Sequence, residues 1–312
     1  MAYRRALVIM NPVSGQHDPK RTRRRLEERF REGGLDFDFR ETQGDGDALC
    51  WADAAGDEGF DVVVAVGGDG TIMEAMSGLI KSKGSVPLAQ VPTGTANLLA
   101  RALLIPINVE KSLELVFSGK EERLDVGYLP DHDRYFALVA GMGYDANMIA
   151  EAPRNLKRVM GFAAYVVSGI KSLFRLKRVR VHLEADGEKM DFLAHTVMVI
   201  NVGQIAAAKI SLGPDIHPHD GKLDLMIASS VTLWGLARTF WQILTRQYKS
   251  QENLRYIQAA KIKIEVQPPL GVQIDGEAFG TTPLCVEAVP GGANLIVPQE
   301  YVAEQEARSE GG

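Results

Sequence analysis

The run Gly67-Gly68-Asp69-Gly70-Thr71 places three glycines around one carboxylate. It follows Val62-Val63-Val64-Ala65-Val66, whose β-branched residues suit a strand covered on both faces. Glycines at such a strand end let backbone N–H groups approach phosphate oxygens closely. A helix opening at Ile72 would add the positive end of its dipole. An acid would repel a bare phosphate, but a bound Mg²⁺ removes the conflict, since hard cations take carboxylate and phosphate oxygens together. The alternative is a tight strand–helix turn in which Asp69 serves as a cap. Asn11-Pro12-Val13-Ser14-Gly15 and Pro92-Thr93-Gly94-Thr95-Ala96-Asn97 are similar in kind, rich in glycine and hydroxyl groups between a strand and a helix. Three such loops at one sheet edge favour a phosphate-bearing nucleotide. The P-loop pattern GxxxxGK[ST] is absent, and no lysine sits in these loops.

Other groups of residues carry weaker signals. Gly141-Met142-Gly143-Tyr144-Asp145-Ala146 fits GxGxxG/A, but it falls beyond the alternating strand–helix region and reads as a sandwich turn. His217-Pro218-His219-Asp220 has metal-like spacing with no cysteine nearby. A turn on Asp220-Gly221 is the plain reading, and an oxygen-ligated Mg²⁺ the sharper one. Ile274-Asp275-Gly276-Glu277 reads as a hairpin turn that, in a kinase, could supply a general base. Residues 154–180 and 233–249 mix bulky apolar side chains with lysines and arginines. Such helices either lie on an anionic membrane surface or cover a core with their charges in water.

The elements that must position these residues change character along the chain. Up to Phe117, strands and helices alternate, which implies a parallel sheet with helices on both faces. From about Leu124, short strands dominate, as in an antiparallel sandwich, and the tail from Glu304 reads as polar and frayed. The fold class expected is therefore α/β plus all-β. At 312 residues, two domains are the prior. A net charge of −5 argues against a general nucleic-acid binder. Cys50 and Cys285 lie far apart without a CxxC, which suggests a reducing, cytoplasmic setting. The apolar run after Arg4 and Arg5 is too short for a signal peptide, and none approaches the ~18 residues of a membrane span.

Taken in order, NPVSG at 11–15, GGDGT at 67–71, PTGTAN at 92–97, GMGYDA at 141–146, DGKLDL at 220–225 and DGE at 275–277 resemble the diacylglycerol kinase catalytic-domain family. These are soluble lipid kinases that include sphingosine kinases, with NAD kinases more distant. The resemblance covers nearly the whole chain. It implies an N-terminal doubly wound, NAD-kinase-like domain over 1–127, a β-sandwich lipid-substrate domain over 128–291, and a return segment, 292–312, packing on the first. By likeness, Asn11, Pro12, Ser14, Gly15, Thr42, Gly67, Gly68, Asp69, Gly70, Thr71, Glu74 and Thr95 would line the ATP site. Asp69 would hold the phosphates through Mg²⁺, and Glu277 would accept the proton of the lipid hydroxyl. Asp220 would bind a structural Mg²⁺ beside the carbonyls of His217 and Lys222. The chain departs from the family at Met73, Leu98 and Ala206-Ala207-Ala208.

The expected activity is ATP- and Mg²⁺-dependent phosphorylation of diacylglycerol or a related lipid, within phospholipid metabolism. Peripheral membrane contact and a homodimer stay open. The alternatives are an NAD kinase-like enzyme with a soluble substrate, or a nucleotide-binding regulator without catalysis.

Overall fold

A computed structural model describes residues 3–15, 18–82, 86–143, 178–205, 210–213, 216–229 and 254–309. The expected helices at 155–174 and 233–248 lie outside the described residues. The chain divides into two compact units, Met1–Leu124 with Gly291–Gly312, and Asp125–Pro290.

The first unit opens with β1 (Arg5–Met10), α1 (Pro19–Glu32), β2 (Asp36–Glu41), α2 (Asp47–Ala54), β3 (Val62–Gly67), α3 (Asp69–Lys81), β4 (Leu88–Pro92), α4 (Leu98–Ala102) and α5 (Val109–Ser118). β1 pairs in parallel with β2 and β3, and β3 with β4. Every residue of β3 is buried, as expected for a strand covered on both faces. On one face, Val8 and Val64 pack with Leu26 and Phe30 of α1 and with Val109, Leu113 and Val116 of α5. On the other, Leu7, Ile9, Val63 and Ala65 are fully buried, and α3 lies against β3 and β4. α1 begins where Asp18 caps the Lys20 N–H and Pro19 presets the first helical residue. Gly78 lets α3 approach α2, since a Cβ there would run into the Leu49 carbonyl oxygen.

β5 (Lys120–Leu129) crosses from the first unit into the second, which continues with β6 (Arg134–Phe136), β7 (Val139–Met142), β8 (Val179–Ala185), β9 (Glu188–Ala194), β10 (Thr196–Ile200), the short pair β11 (Gln204–Ile205) and β12 (Ile210–Ser211), β13 (Leu223–Ala228), β14 (Leu254–Ala259), β15 (Lys261–Gln267), β16 (Gly271–Ile274), β17 (Glu277–Thr281) and the start of β18 (Leu284–Val297). β9, β8, β15 and the start of β18 form one antiparallel sheet. The other runs β14-β13-β10-β7-β16-β17. β15 alternates strictly between exposed and buried residues. Its buried Ile262, Ile264 and Val266 share a core with Val197, Val199, Leu225 and Ile274 of the other sheet. This is the expected α/β plus sandwich architecture.

β18 also contributes to the first unit, where Leu295 pairs in parallel with Leu88 of β4. A final helix, α6 (Gln299–Ser309), replaces the frayed tail expected from Glu304. Tyr301, 2% exposed, ties its first turn to the protein interior. Among the described residues, no helix is long and apolar enough to cross a membrane.

Candidate functional site

In the first unit, the turns after β1, β2, β3 and β4 all leave the carboxyl edge of one parallel sheet, the usual ligand edge in such sheets. Ladder-like bonds carry the pairing into the turns. Asn11 N–H reaches the Val66 carbonyl at 2.9 Å, Thr42 N–H the Met10 carbonyl at 2.9 Å, and Thr93 N–H the Gly67 carbonyl at 2.9 Å. The turns also touch one another backbone to backbone. Gly15, at φ +72°, leaves no room for a Cβ beside the Thr93 carbonyl. A Cβ on Gly94 would stand 2.6 Å from the Gly68 Cα, and one on Gly68 would stand 3.3 Å from Ser14 Oγ. Here the glycines are required by close approach. Asn11 fastens the first turn twice, accepting the Val13 N–H at 3.1 Å and donating to Thr71 Oγ1 at 3.1 Å. Asn97, in left-handed conformation, donates to the Gly94 carbonyl at 2.9 Å.

α3 starts at Asp69, three residues earlier than expected, with extended Gly68 as its N-cap. The first amides of a helix have no partner within it, so Gly70 and Thr71 belong to the donor-rich first turn. The N-cap, Gly68, has no side chain with which to cap the helix. Asp69 Oδ1 accepts the Leu99 N–H of α4 at 3.4 Å. This sets a carboxylate beside the amides of the glycine turns. A Mg²⁺ is commonly held by one or two carboxylates together with substrate phosphates, and Asp69 is the donor such an ion would use here. Among the described residues, no three His, Cys, Asp or Glu side chains form a metal cluster.

Glu74 shapes the β2–α2 turn. Its Oε2 accepts the Gly46 N–H at 3.1 Å. Asp47 accepts from Gln43 at 2.7 Å and Gly44 at 3.0 Å. Burial pushes the Glu74 carboxyl up; the Gly46 amide opposes this, and Asp45 and Asp47 add to the rise. Thr95 lies exposed on the third turn.

The second unit holds the other expected residues. Asp220 accepts the Lys222 N–H at 2.9 Å and Gln258 Nε2 at 3.2 Å, so both of its oxygens are engaged. Its turn is held by Asp125, 2% exposed. Asp125 accepts the Gly221 N–H at 2.7 Å and donates its own N–H to the Pro218 carbonyl at 2.8 Å. His217 is half-buried and Lys222 exposed. An acid between Leu124 and Val126 on a buried strand was the available signal for Asp125; the reading of motifs passed over it.

Asp275 and Gly276 form a two-residue hairpin between Ile274 and Glu277, both at positive φ (48° and 88°). This is the type I′ geometry that Asp-Gly favours. The two acids divide their work. Asp275 accepts three successive backbone N–H groups, from Ala137, Leu138 and Val139, each at 2.9 Å. Glu277 stands exposed and meets Arg134 Nη2 at 3.2 Å. No sequence signal points to Arg134, which lies 143 positions away. Gly141 and Met142 of the glycine motif lie on β7 and Gly143 ends it, while 144–146 fall outside the described residues.

Comparison with known proteins places these features in a family. The profile of the diacylglycerol kinase catalytic domain matches residues 5–129, and that of the YegS C-terminal NAD kinase beta sandwich-like domain matches 138–297. A diacylglycerol kinase of Bacillus subtilis (strain 168) is 30% identical over 281 residues, spanning 90% of this chain and 92% of its own. A diacylglycerol kinase of Staphylococcus aureus (strain bovine RF122 / ET3-1) is 28% identical over 302 residues, spanning 97% and 95%. Two crystal structures from Bacillus anthracis str. Sterne share the fold, with TM-scores of 0.81 and 0.74 at 24% and 21% identity. Each covers 96% of this chain and 99% of the other. The chain belongs to the diacylglycerol kinase catalytic-domain family.

Proposed function

We propose that the protein is an ATP-dependent lipid kinase that phosphorylates a hydroxyl of diacylglycerol or a related lipid. The observation that carries this reading is the backbone contact among the three glycine turns, Gly15 against Thr93 and Gly68 against Gly94, beside the carboxylate of Asp69. The names of the relatives supply the substrate class.

Phosphoryl transfer asks a protein mainly for positioning and charge neutralisation. Amides of the turns from Asn11 to Gly15 and Gly67 to Thr71 would hold the triphosphate, with Thr42, Glu74 and Thr95 around the nucleotide. Bound at Asp69, Mg²⁺ would neutralise phosphate charge. Asp220, with the carbonyls of His217 and Lys222, would hold a second, structural ion. Glu277 would take the proton of the lipid hydroxyl as that oxygen bonds to the γ-phosphorus, and the bond from phosphorus to the ADP oxygen breaks.

The test is transfer of label from γ-labelled ATP to a panel of lipids in detergent micelles, with NAD as the competing acceptor. Labelled lipid that disappears in both Asp69→Ala and Glu277→Ala is the expected result. Label on NAD alone would mark an NAD kinase. ATP binding with no labelled product from any acceptor would mark a regulator.

A further inference from the structure

We infer that Arg134 is a positioning residue for Glu277, presenting that carboxylate to the acceptor hydroxyl. The inference rests on the reading of Glu277 as proton acceptor and adds a residue that reading did not contain.

An exposed ion pair between neighbours of one ladder would be routine. This pair is not of that kind. Arg134 lies on β6, whose ladder partner is β5, whereas Glu277 lies on β17, whose partner is β16. The two strands belong to different sheets. The ladder of β16 with β7, the strand that follows β6, brings them near each other, and Asp275 fastens the join. Its carboxylate binds the amides of Ala137, Leu138 and Val139, the residues that immediately follow β6. Asp275 also donates its own N–H to the Val139 carbonyl at 2.9 Å. The hairpin carrying Glu277 is thereby locked to the strand carrying Arg134. Charge-assisted bonds from three amides make this a strong clamp.

The guanidinium has an aromatic contact as well. Its central carbon lies 5.1 Å from the centre of the Phe279 ring, and His132 meets the same ring edge-on at 4.8 Å. A planar guanidinium resting on an aromatic face loses little freedom when it binds a carboxylate. Its bond engages Glu277 Oε2, which leaves Oε1 as the oxygen for a hydroxyl proton. A long, exposed glutamate would otherwise sample several rotamers, and misplacing a reacting group by about 1 Å can cost about 100-fold in rate. The pair contributes little to folding, because both side chains are well exposed, at 42% and 61%. Its value therefore lies in orientation.

The experiment compares Arg134→Gln, Arg134→Lys, Glu277→Gln and the double variant Arg134→Gln/Glu277→Gln. A labelled-ATP assay sensitive enough to read residual turnover gives kcat and both KM values. Arg134→Gln should lower kcat about 10- to 100-fold at unchanged KM for ATP and unchanged Tm. Arg134→Lys should recover part of the loss. In the Glu277→Gln background, Arg134→Gln should change turnover by less than about twofold, since the residues act as a unit. Full kcat in Arg134→Gln would overturn the inference, as would the same fractional loss with and without Glu277. If Glu277→Gln alone keeps full turnover, the proton-acceptor reading itself has failed, and Arg134 falls with it.

Discussion

The carboxyl edge of the first unit and the Asp275 hairpin of the second solve the same problem with different materials. The edge is built from backbone. Its contacts run between Gly15, Thr93, Gly68 and Gly94, and few side chains take part. The hairpin is built from side chains, with Asp275, Arg134 and Glu277 linked across strands of separate sheets. A backbone site tolerates changes in nearby side chains but not an added Cβ. A side-chain site has the opposite sensitivity. It forgives small changes of volume but not the loss of one charged atom.

The sharpest break of this comparison is Gly15→Ala. The residue has φ +72°, and its Cβ would collide with the Thr93 carbonyl oxygen, a backbone atom that cannot rotate away. The turns must separate. Nucleotide affinity should fall at least about 100-fold, or about 3 kcal/mol, by calorimetry. The hairpin should remain intact by hydrogen exchange at Ala137 to Val139. Loss of protection there would mean that the two regions are not independent. Next in size is Asp275→Ala, which strands three amides. A hydrogen bond to a charged group contributes about 1.5–3 kcal/mol, so urea unfolding should show a loss of at least about that much. Turnover should fall while ATP affinity holds. Asp275→Asn, which keeps an acceptor oxygen, should lose less.

The two regions also differ in how far they could be read from sequence. The edge was legible because its determinants are local: glycines and hydroxyls follow buried strands at Val66 and Val91. Even there, the start of α3 was placed at Ile72 rather than Asp69, because Gly68-Asp69-Gly70 resembles a loop by propensity. Gly68 as N-cap and an acid at the positive end of the dipole decide the matter in favour of helix. The hairpin turn was legible for the same local reason, but its partners were not. Nothing near Arg134 announces Glu277, because the contact exists only after both strands are placed. The charge-rich run from Glu188 to Ala194 carries a weak strand signal of its own, yet β9 pairs with β8 along its whole length. The sequence reads as one strand from Cys285 to Val289 and, by the resemblance, a return strand at Asn294 to Val297; the structure joins the two in β18. The strand changes partners along its length, from antiparallel β15 to parallel β4.

A smaller effect probes one of the places where a side chain shapes the backbone edge. Glu74 holds the Gly46 N–H, yet burial, with Asp45 and Asp47 nearby, raises its carboxyl above the ordinary value of 4.5. A raised acid favours the folded state below its unfolded value, and that advantage is lost as pH climbs through the folded value. The ionised form of Glu74 is therefore the less favoured one in the folded protein. Glu74→Gln keeps a carbonyl oxygen for the Gly46 N–H and removes the charge. Its Tm should rise slightly at neutral pH, and the gain should shrink as the solution is acidified through the raised value. A gain that persisted unchanged at acid pH would trace to packing rather than charge, and a falling Tm would show that the ionised carboxylate is needed to hold the turn. The variant would then join the second region in kind, as a site where one charged atom outweighs the backbone around it.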